Sequence, residues 1–234
     1  MVHGATRAFL IGTTLFLAMP LLANEARVIE HTDSEIVFEL ATDDVSVSEI
    51  VHGGDSFVRV EAPGYGFTTD VGAARLPRKS VLLAVPAGST YDLEILTVDE
   101  RPLGRHRVEP VPEERIIGDD DFLVPVQEFR PDPAFESRRG VWPEHAVELG
   151  QDARLRHHRV VRVVMNPVAW VPATGELTLR SRIVARLRLS GARSADGWIP
   201  APAREEEWDA IYGATILNAD EAAAWRTRPQ PLES

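Results

Sequence analysis

The 234-residue chain contains no cysteine. That absence removes disulfides, thiolate nucleophiles and Cys-ligated zinc, so the fold must hold by packing and hydrogen bonding alone. Lysine is almost missing as well: of 25 basic residues only Lys79 is one, a bias that reads as genome composition and carries no mechanism. Past residue 22 there is no long apolar run. The local signatures of catalysis are missing too: there is no Gly-x-Ser-x-Gly elbow, no His-Glu-x-x-His pair, no P-loop and no Gly-x-Gly-x-x-Gly after a strand. An enzyme reading therefore has no convergent nucleophile and base to rest on. Basic residues are outnumbered by 36 acids, and a net charge of −11 sets nucleic acid aside as a partner.

What is present begins with a targeting segment. Arg7 supplies a positive n-region, Ala8 to Leu22 an apolar h-region broken by Pro20, and Leu21-Leu22-Ala23 or Asn24-Glu25-Ala26 a small-residue cleavage site. Residues 1–23 are read as a secretory signal peptide, because the apolar run is shorter than the roughly 20 residues of a membrane span. The expectation is a secreted or periplasmic protein with no membrane association after signal removal.

Short strand-like runs follow. Ile36, Phe38 and Leu40 alternate with Glu35 and Glu39; Val45 to Ile50 and Phe57 to Val60 are separated by Gly53-Gly54-Asp55; Ser80 to Val85 and Tyr91 to Val98 are separated by Pro86-Ala87-Gly88. With no helical pattern between consecutive strands, the spacing predicts an all-β, antiparallel β-sandwich of jelly-roll type and disfavours a parallel βαβ sheet. The most regular stretch is Arg159 to Leu189. There Leu177, Leu179, Ile183, Ala185, Leu187 and Leu189 alternate with Arg180, Arg182, Arg186 and Arg188. Preceded by the apolar run Val160 to Met165, and joined to it through Asn166-Pro167 and Ala173-Thr174-Gly175-Glu176, it reads as one long β-hairpin. Its arginines are either the solvated face of a strand or partners for the acids concentrated at residues 24–70.

Residues 100–145 carry seven prolines, which cannot sit in central strands. A surface excursion is expected there, with at most a short strand at Phe122 to Phe129, and such excursions are where function concentrates. Trp208 to Arg226 reads as helical, with Asn218 and Glu221 as a cap, followed by a disordered flank.

No side chain qualifies as catalytic, and no metal or cofactor is expected. His157 and His158 would point to opposite faces of a strand and do not share a metal. Asp119-Asp120-Asp121 lacks the spaced ligands and glycine of a Ca²⁺ loop and reads as a solvated acidic turn. Trp142, Trp170 and Trp198 lie beside turn residues, either packed in the core or forming a sugar-stacking platform.

The motifs Gly72-Ala73-Ala74-Arg75-Leu76-Pro77 before Val81 to Val85, Gly140-Val141-Trp142-Pro143-Glu144, the Val160 to Leu189 stretch with Asn166-Pro167 and Pro172-Ala173-Thr174-Gly175, and Ile216-Leu217-Asn218-Ala219-Asp220-Glu221-Ala222 occur in an order that resembles the N-terminal prodomain, or propeptide, of the gingipain family of secreted cysteine peptidases. The resemblance implies a β-sandwich that assists folding of the peptidase, blocks its cleft as an inhibitor and is removed by proteolysis. The partner it implies is the catalytic domain of a gingipain-like peptidase, which supplies the Cys and His that this chain lacks. The organisation that follows is signal peptide 1–23, β-sandwich prodomain 24–217, and 218–234 as a C-terminal helix and flexible flank toward a catalytic domain outside the chain. Family peptidases cut after Arg or Lys, so the resemblance implies a basic side chain on a prodomain loop that fills the specificity pocket. Arg115 is the first candidate for it, with Arg138 and Arg139 as runners-up; Arg226 and Arg228 are candidate processing sites on an accessible tail. The alternative is an orphan secreted β-sandwich acting as an adhesion or carbohydrate-binding module through its tryptophans.

Overall fold

A computed structural model describes residues 25–119, 122–191 and 206–225. Thirteen strands follow in order: β1 (Ala26–His31), β2 (Glu35–Ala41), β3 (Ser46–His52), β4 (Asp55–Glu61), β5 (Gly66–Phe67), β6 (Pro77–Val85), β7 (Thr90–Arg105), β8 (Glu113–Asp119), β9 (Phe122–Glu128), β10 (Val147–Leu155), β11 (His158–Met165), β12 (Val168–Val171) and β13 (Glu176–Ser190). A one-turn helix α1 (Pro133–Glu136) interrupts them, and α2 (Glu206–Thr215), α3 (Ala219–Ala222) and a 3₁₀ turn at Ala223–Trp225 come last.

The predicted antiparallel all-β architecture is what forms. In one sheet β13 is central: β7 pairs along its length on one side, while β12 and then β2 share the other, with β1 outside β2. The second sheet runs β10-β11-β6-β5. Inner-facing Ile36, Phe38 and Leu40 of β2 and Ile183, Ala185 and Leu187 of β13 meet Leu83 of β6 and Val161, Val163 and Met165 of β11 in the main core. A second core lies at the other end of β13, where Leu177 and Leu179 join Val58, Val60, Leu76, Val108, Phe135, Val168 and Trp170.

The long hairpin expected over Arg159 to Leu189 does not form as one. Val160 to Met165 belongs to β11, between β10 and β6 in the opposite sheet, and the chain crosses at Asn166-Pro167. Only the four residues of β12 pair back onto β13. The reason is visible in the composition: Val160, Val161, Val163 and Val164 are all buried, so β11 needs cover on both faces and cannot serve as the partner of a half-solvated ribbon. The short β12–β13 turn is tight enough to demand glycine, since Gly175 has φ +72° and an added Cβ would lie 3.0 Å from the His106 carbonyl oxygen.

The arginines of β13 find partners within the chain. Arg182 pairs with Glu39 at 2.9 Å, Arg186 with Glu35 at 3.3 Å and with Glu94 at 3.5 Å, and Arg188 with Glu94 at 2.6 Å. Of the acids at residues 24–70, Glu35 and Glu39 thus meet these arginines, and Glu94 of β7 takes the rest. Arg180 departs from the expected outer face: it is 5% exposed, donates to the Asn166 carbonyl at 3.3 Å, and burial holds its guanidinium below its ordinary range despite Glu100.

The proline-rich region is also more ordered than expected. β7 continues to Arg105 and accommodates Pro102 because, among the described residues, its outer edge bonds no other strand, and the strand at Phe122 has a partner in β8.

Candidate functional site: an isolated hairpin and its ionic root

β8 and β9 form a two-stranded sheet of their own. The register places Glu113, Arg115 and Ile117 opposite Glu128, Val126 and Val124 on one face, and Glu114 and Ile116 opposite Gln127 and Pro125, with Gly118 opposite Leu123, on the other. Among the described residues nothing covers either face. Ile116 is 73% exposed, Leu123 66% and Ile117 56%, so large apolar side chains project from both sides of a ribbon in water. Large apolar side chains left uncovered on both faces of one ribbon make it the candidate binding element. A lone two-stranded hairpin is marginal by itself, so its geometry must be fixed from its base.

The base is a buried ion cluster. Glu109, four residues before β8, is 0% exposed. Its Oε1 accepts from Arg59 Nε at 2.8 Å and Arg75 Nη1 at 2.9 Å; its Oε2 accepts from Arg59 Nη2 at 3.0 Å and lies 3.1 Å from His52 Nε2. Burial pushes this carboxyl up, yet the hydrogen bonds from Arg59, His52 and Arg75 outweigh it and hold the group below the ordinary carboxylate range. The same His52 ring stacks on Phe129, the residue after β9, with centroids 3.7 Å apart and planes 6° from parallel. Arg75 in turn lies 3.5 Å over the Phe67 ring.

Backbone bonds reinforce both legs. Gly72 N–H donates to the Val111 carbonyl at 2.9 Å, before β8, and the Gly72 carbonyl accepts from Asp132 N–H at 3.0 Å, after β9. Gly72 has φ +79° and a Cβ there would sit 2.9 Å from Asp132 Cβ, so no other residue fits between the legs.

Of the residues singled out from sequence, Arg115 lies within this hairpin, on a strand and not on a loop as the sequence reading had it. Its side chain is 57% exposed, and the guanidinium reaches Glu113 at 3.4 Å and Glu128 at 3.5 Å. Arg138 and Arg139 sit on the exposed turn after α1, with Arg138 5.8 Å from the Phe135 ring centroid and 5.7 Å from that of Trp142. Arg226, Arg228 and Trp198 lie outside the described residues, as do Asp120 and Asp121 of the acidic turn. Trp170 is buried with its indole N–H donating to the His106 carbonyl at 2.9 Å, and Trp142 is half-buried beside it in the second core. That packing takes Trp170 out of any sugar-stacking platform and leaves Trp142 only partly open. His157 and His158 are buried, and His158 meets the Tyr212 ring edge-on.

Sequence reasoning did not single out Glu109, His52, Phe129 or Gly72 as site residues. Gly72 alone was signalled, as the first residue of a recurring motif; the ion cluster joins residues more than 30 positions apart and leaves no local trace.

The sequence profile of the Propeptide_C25 family matches residues 23–223. The chain belongs to the Propeptide_C25 family. The matched region is a propeptide, the non-catalytic part of such a precursor, and the sequence holds no cysteine that could act as a nucleophile. Among curated relatives, Lys-gingipain HG66 and Lys-gingipain W83 of Porphyromonas gingivalis are each 24% identical over 154 residues, 64% of this chain. The chain spans 9% of the length of these relatives. Two solved structures share the fold. One, concerning the zymogenic latency of gingipain K from Porphyromonas gingivalis, aligns with a TM-score of 0.58 at 18% identity over 74% of this chain and 96% of its own. The other, a complex of Porphyromonas gingivalis RgpB pro- and mature domains, aligns with a TM-score of 0.65 at 15% identity over 83% of this chain and 97% of its own. A Propeptide_C25 chain with this fold carries its exposed apolar hairpin on an otherwise well-paired sandwich.

Proposed function

We propose that this chain is the prodomain of a gingipain-like cysteine peptidase and that the β8–β9 hairpin is the element that enters and blocks the peptidase cleft, the sandwich also assisting folding of the catalytic domain. The observation that carries the reading is the pairing of uncovered Ile116, Ile117 and Leu123 with a rigid ionic base. Arg115 is the specificity contact: its ion pairs to exposed Glu113 and half-buried Glu128 are long, hence weak, and a pocket carboxylate that grips the guanidinium bidentately displaces them. Arg138 and Arg139, on their exposed turn, are the second choice. The chain is exported through residues 1–23, residues 24–217 act as the sandwich prodomain, and the segment 218–234 is cut at Arg226 or Arg228 to release it.

Inhibition in trans tests this reading. Micromolar mature chain is expected to suppress mature Lys-gingipain or RgpB from Porphyromonas gingivalis, and Arg115→Ala to raise the inhibition constant by about thirtyfold, the effect of losing one interface hot spot of roughly 2 kcal/mol. Full peptidase activity at micromolar chain would reject the inhibitory role.

A further inference from the structure

We propose that Gly72, Glu109, His52 and Phe129 form a clamp that fixes the angle at which the β8–β9 hairpin leaves the sandwich, making Glu109 and Phe129 positioning residues for inhibition. The inference rests on the hairpin being the blocking element. Two independent points tie both legs of the hairpin to one body. The His52 side chain touches Glu109 before β8 and Phe129 after β9, and Gly72 bonds Val111 on the first leg and Asp132 on the second. His52 closes β3 and Arg59 lies on β4, so the clamp is seated on the β3–β4 ribbon, which packs Val58 and Val60 into the second core.

The leverage is large. Strands of seven residues carry the tip about 23 Å from the clamp, so a tilt of about 10° at the base displaces the tip by roughly 4 Å, enough to take a side chain out of a pocket. The chemistry at the base is specific to a carboxylate. Four contacts use the four lone-pair sites of Glu109, two on each oxygen. An amide has one accepting oxygen, so Glu109→Gln must turn its NH₂ toward donors and release a guanidinium or the imidazole.

The experiment uses the full mature chain with Glu109→Gln, Phe129→Ala and Phe129→Tyr. Amide hydrogen exchange over residues 113–128 is read against that of β6, β11 and β13, and inhibition is measured on mature Lys-gingipain and mature RgpB. Glu109→Gln and Phe129→Ala are expected to speed exchange in the hairpin alone, on the order of tenfold, and to raise the inhibition constant on the order of tenfold. Phe129→Tyr, which keeps the stack, is expected to restore both. If Glu109→Gln loses protection in the core strands as well, Phe129→Ala decides, because it removes only a half-buried ring. Unchanged hairpin exchange and unchanged inhibition in Phe129→Ala overturn the clamp. A wild-type chain that fails to inhibit rejects the inhibitory reading, and the exchange result then rules on the clamp by itself.

Discussion

At the scale of the residue, placement decides the chemistry of a group more than its type does. Tyr65 shows this at the end of β2, where it packs against the main core. Its hydroxyl lies 2.8 Å from the buried Thr42 hydroxyl, and its pKa is pushed up to about 12, chiefly by burial, with Asp43 adding to the rise and the Thr42 hydrogen bond opposing it. A phenol whose folded pKa exceeds its ordinary value of 10.0 stabilises the fold fully below that value, and the contribution is lost as pH rises through about 12. In an ultraviolet titration of native protein, tyrosinate absorbance should therefore include a late step. Tyr65→Phe should remove that step and cost about 1 kcal/mol at neutral pH, one hydrogen bond. A titration in which every tyrosine ionises at its ordinary value contradicts this environment. Glu109 is the opposite case: the hydrogen bonds from Arg59, His52 and Arg75 outweigh its burial and hold its pKa down, so the carboxylate stays ionised at neutral pH.

At the scale of the element, strands were legible in the sequence where one face meets the core and the other meets water. The C-terminal half of β13 shows this through Ile183, Ala185 and Leu187 alternating with Arg182, Arg186 and Arg188, and β2 carries the same alternation in Ile36, Phe38 and Leu40, although Val37 and Glu39 on its other face are buried as well. β8 was not legible, because Glu113 to Gly118 packs against no core and carries no period to read. β11 was legible as a strand but not as to its partner, since burial on both faces says nothing of which sheet it enters. The C-terminal segment was read as helical, yet what attaches it is a strand-like contact. Asn218 mimics a β partner: its side-chain oxygen accepts from Ala84 N–H at 2.8 Å and its amide donates to the Ala84 carbonyl at 3.1 Å, while Leu217 N–H bonds the Leu82 carbonyl at 2.8 Å. These bonds close part of the free edge of β6 and seat Tyr212 and Ile216 over Ala84 and Val160. Asn218→Ala leaves two buried backbone groups unpaired and should cost about 2 kcal/mol in chemical denaturation. Limited proteolysis should then cut within residues 206–225 first. An unchanged denaturation midpoint would show that the helices hold without this amide.

At the scale of the whole molecule, the candidate site was less legible than the fold because it is assembled from distant parts. Glu109 meets His52, Arg59 and Arg75, and only the path of the folded chain brings them together. The same path joins the two cores, since β13 carries Leu177 and Leu179 into one and Ile183 to Leu189 into the other. β7 bonds β13 through both regions, so neither core can open without breaking a ladder that the other depends on. The sandwich should therefore unfold as one cooperative unit. Leu179→Ala in the second core and Leu187→Ala in the main core remove fully buried side chains, and each should cost about 3 kcal/mol. Both should move a single transition, seen at the same midpoint by far-ultraviolet circular dichroism and, in a background with Trp198, Trp208 and Trp225 changed to Phe, by the emission of Trp142 and Trp170, which report the second core. A Leu179→Ala variant whose tryptophan transition precedes the loss of strand signal would mean that the second core, and the hairpin base built on it, opens independently. The hairpin would then sit on a hinge and not on a rigid frame, and inhibition by that variant would weaken without global unfolding.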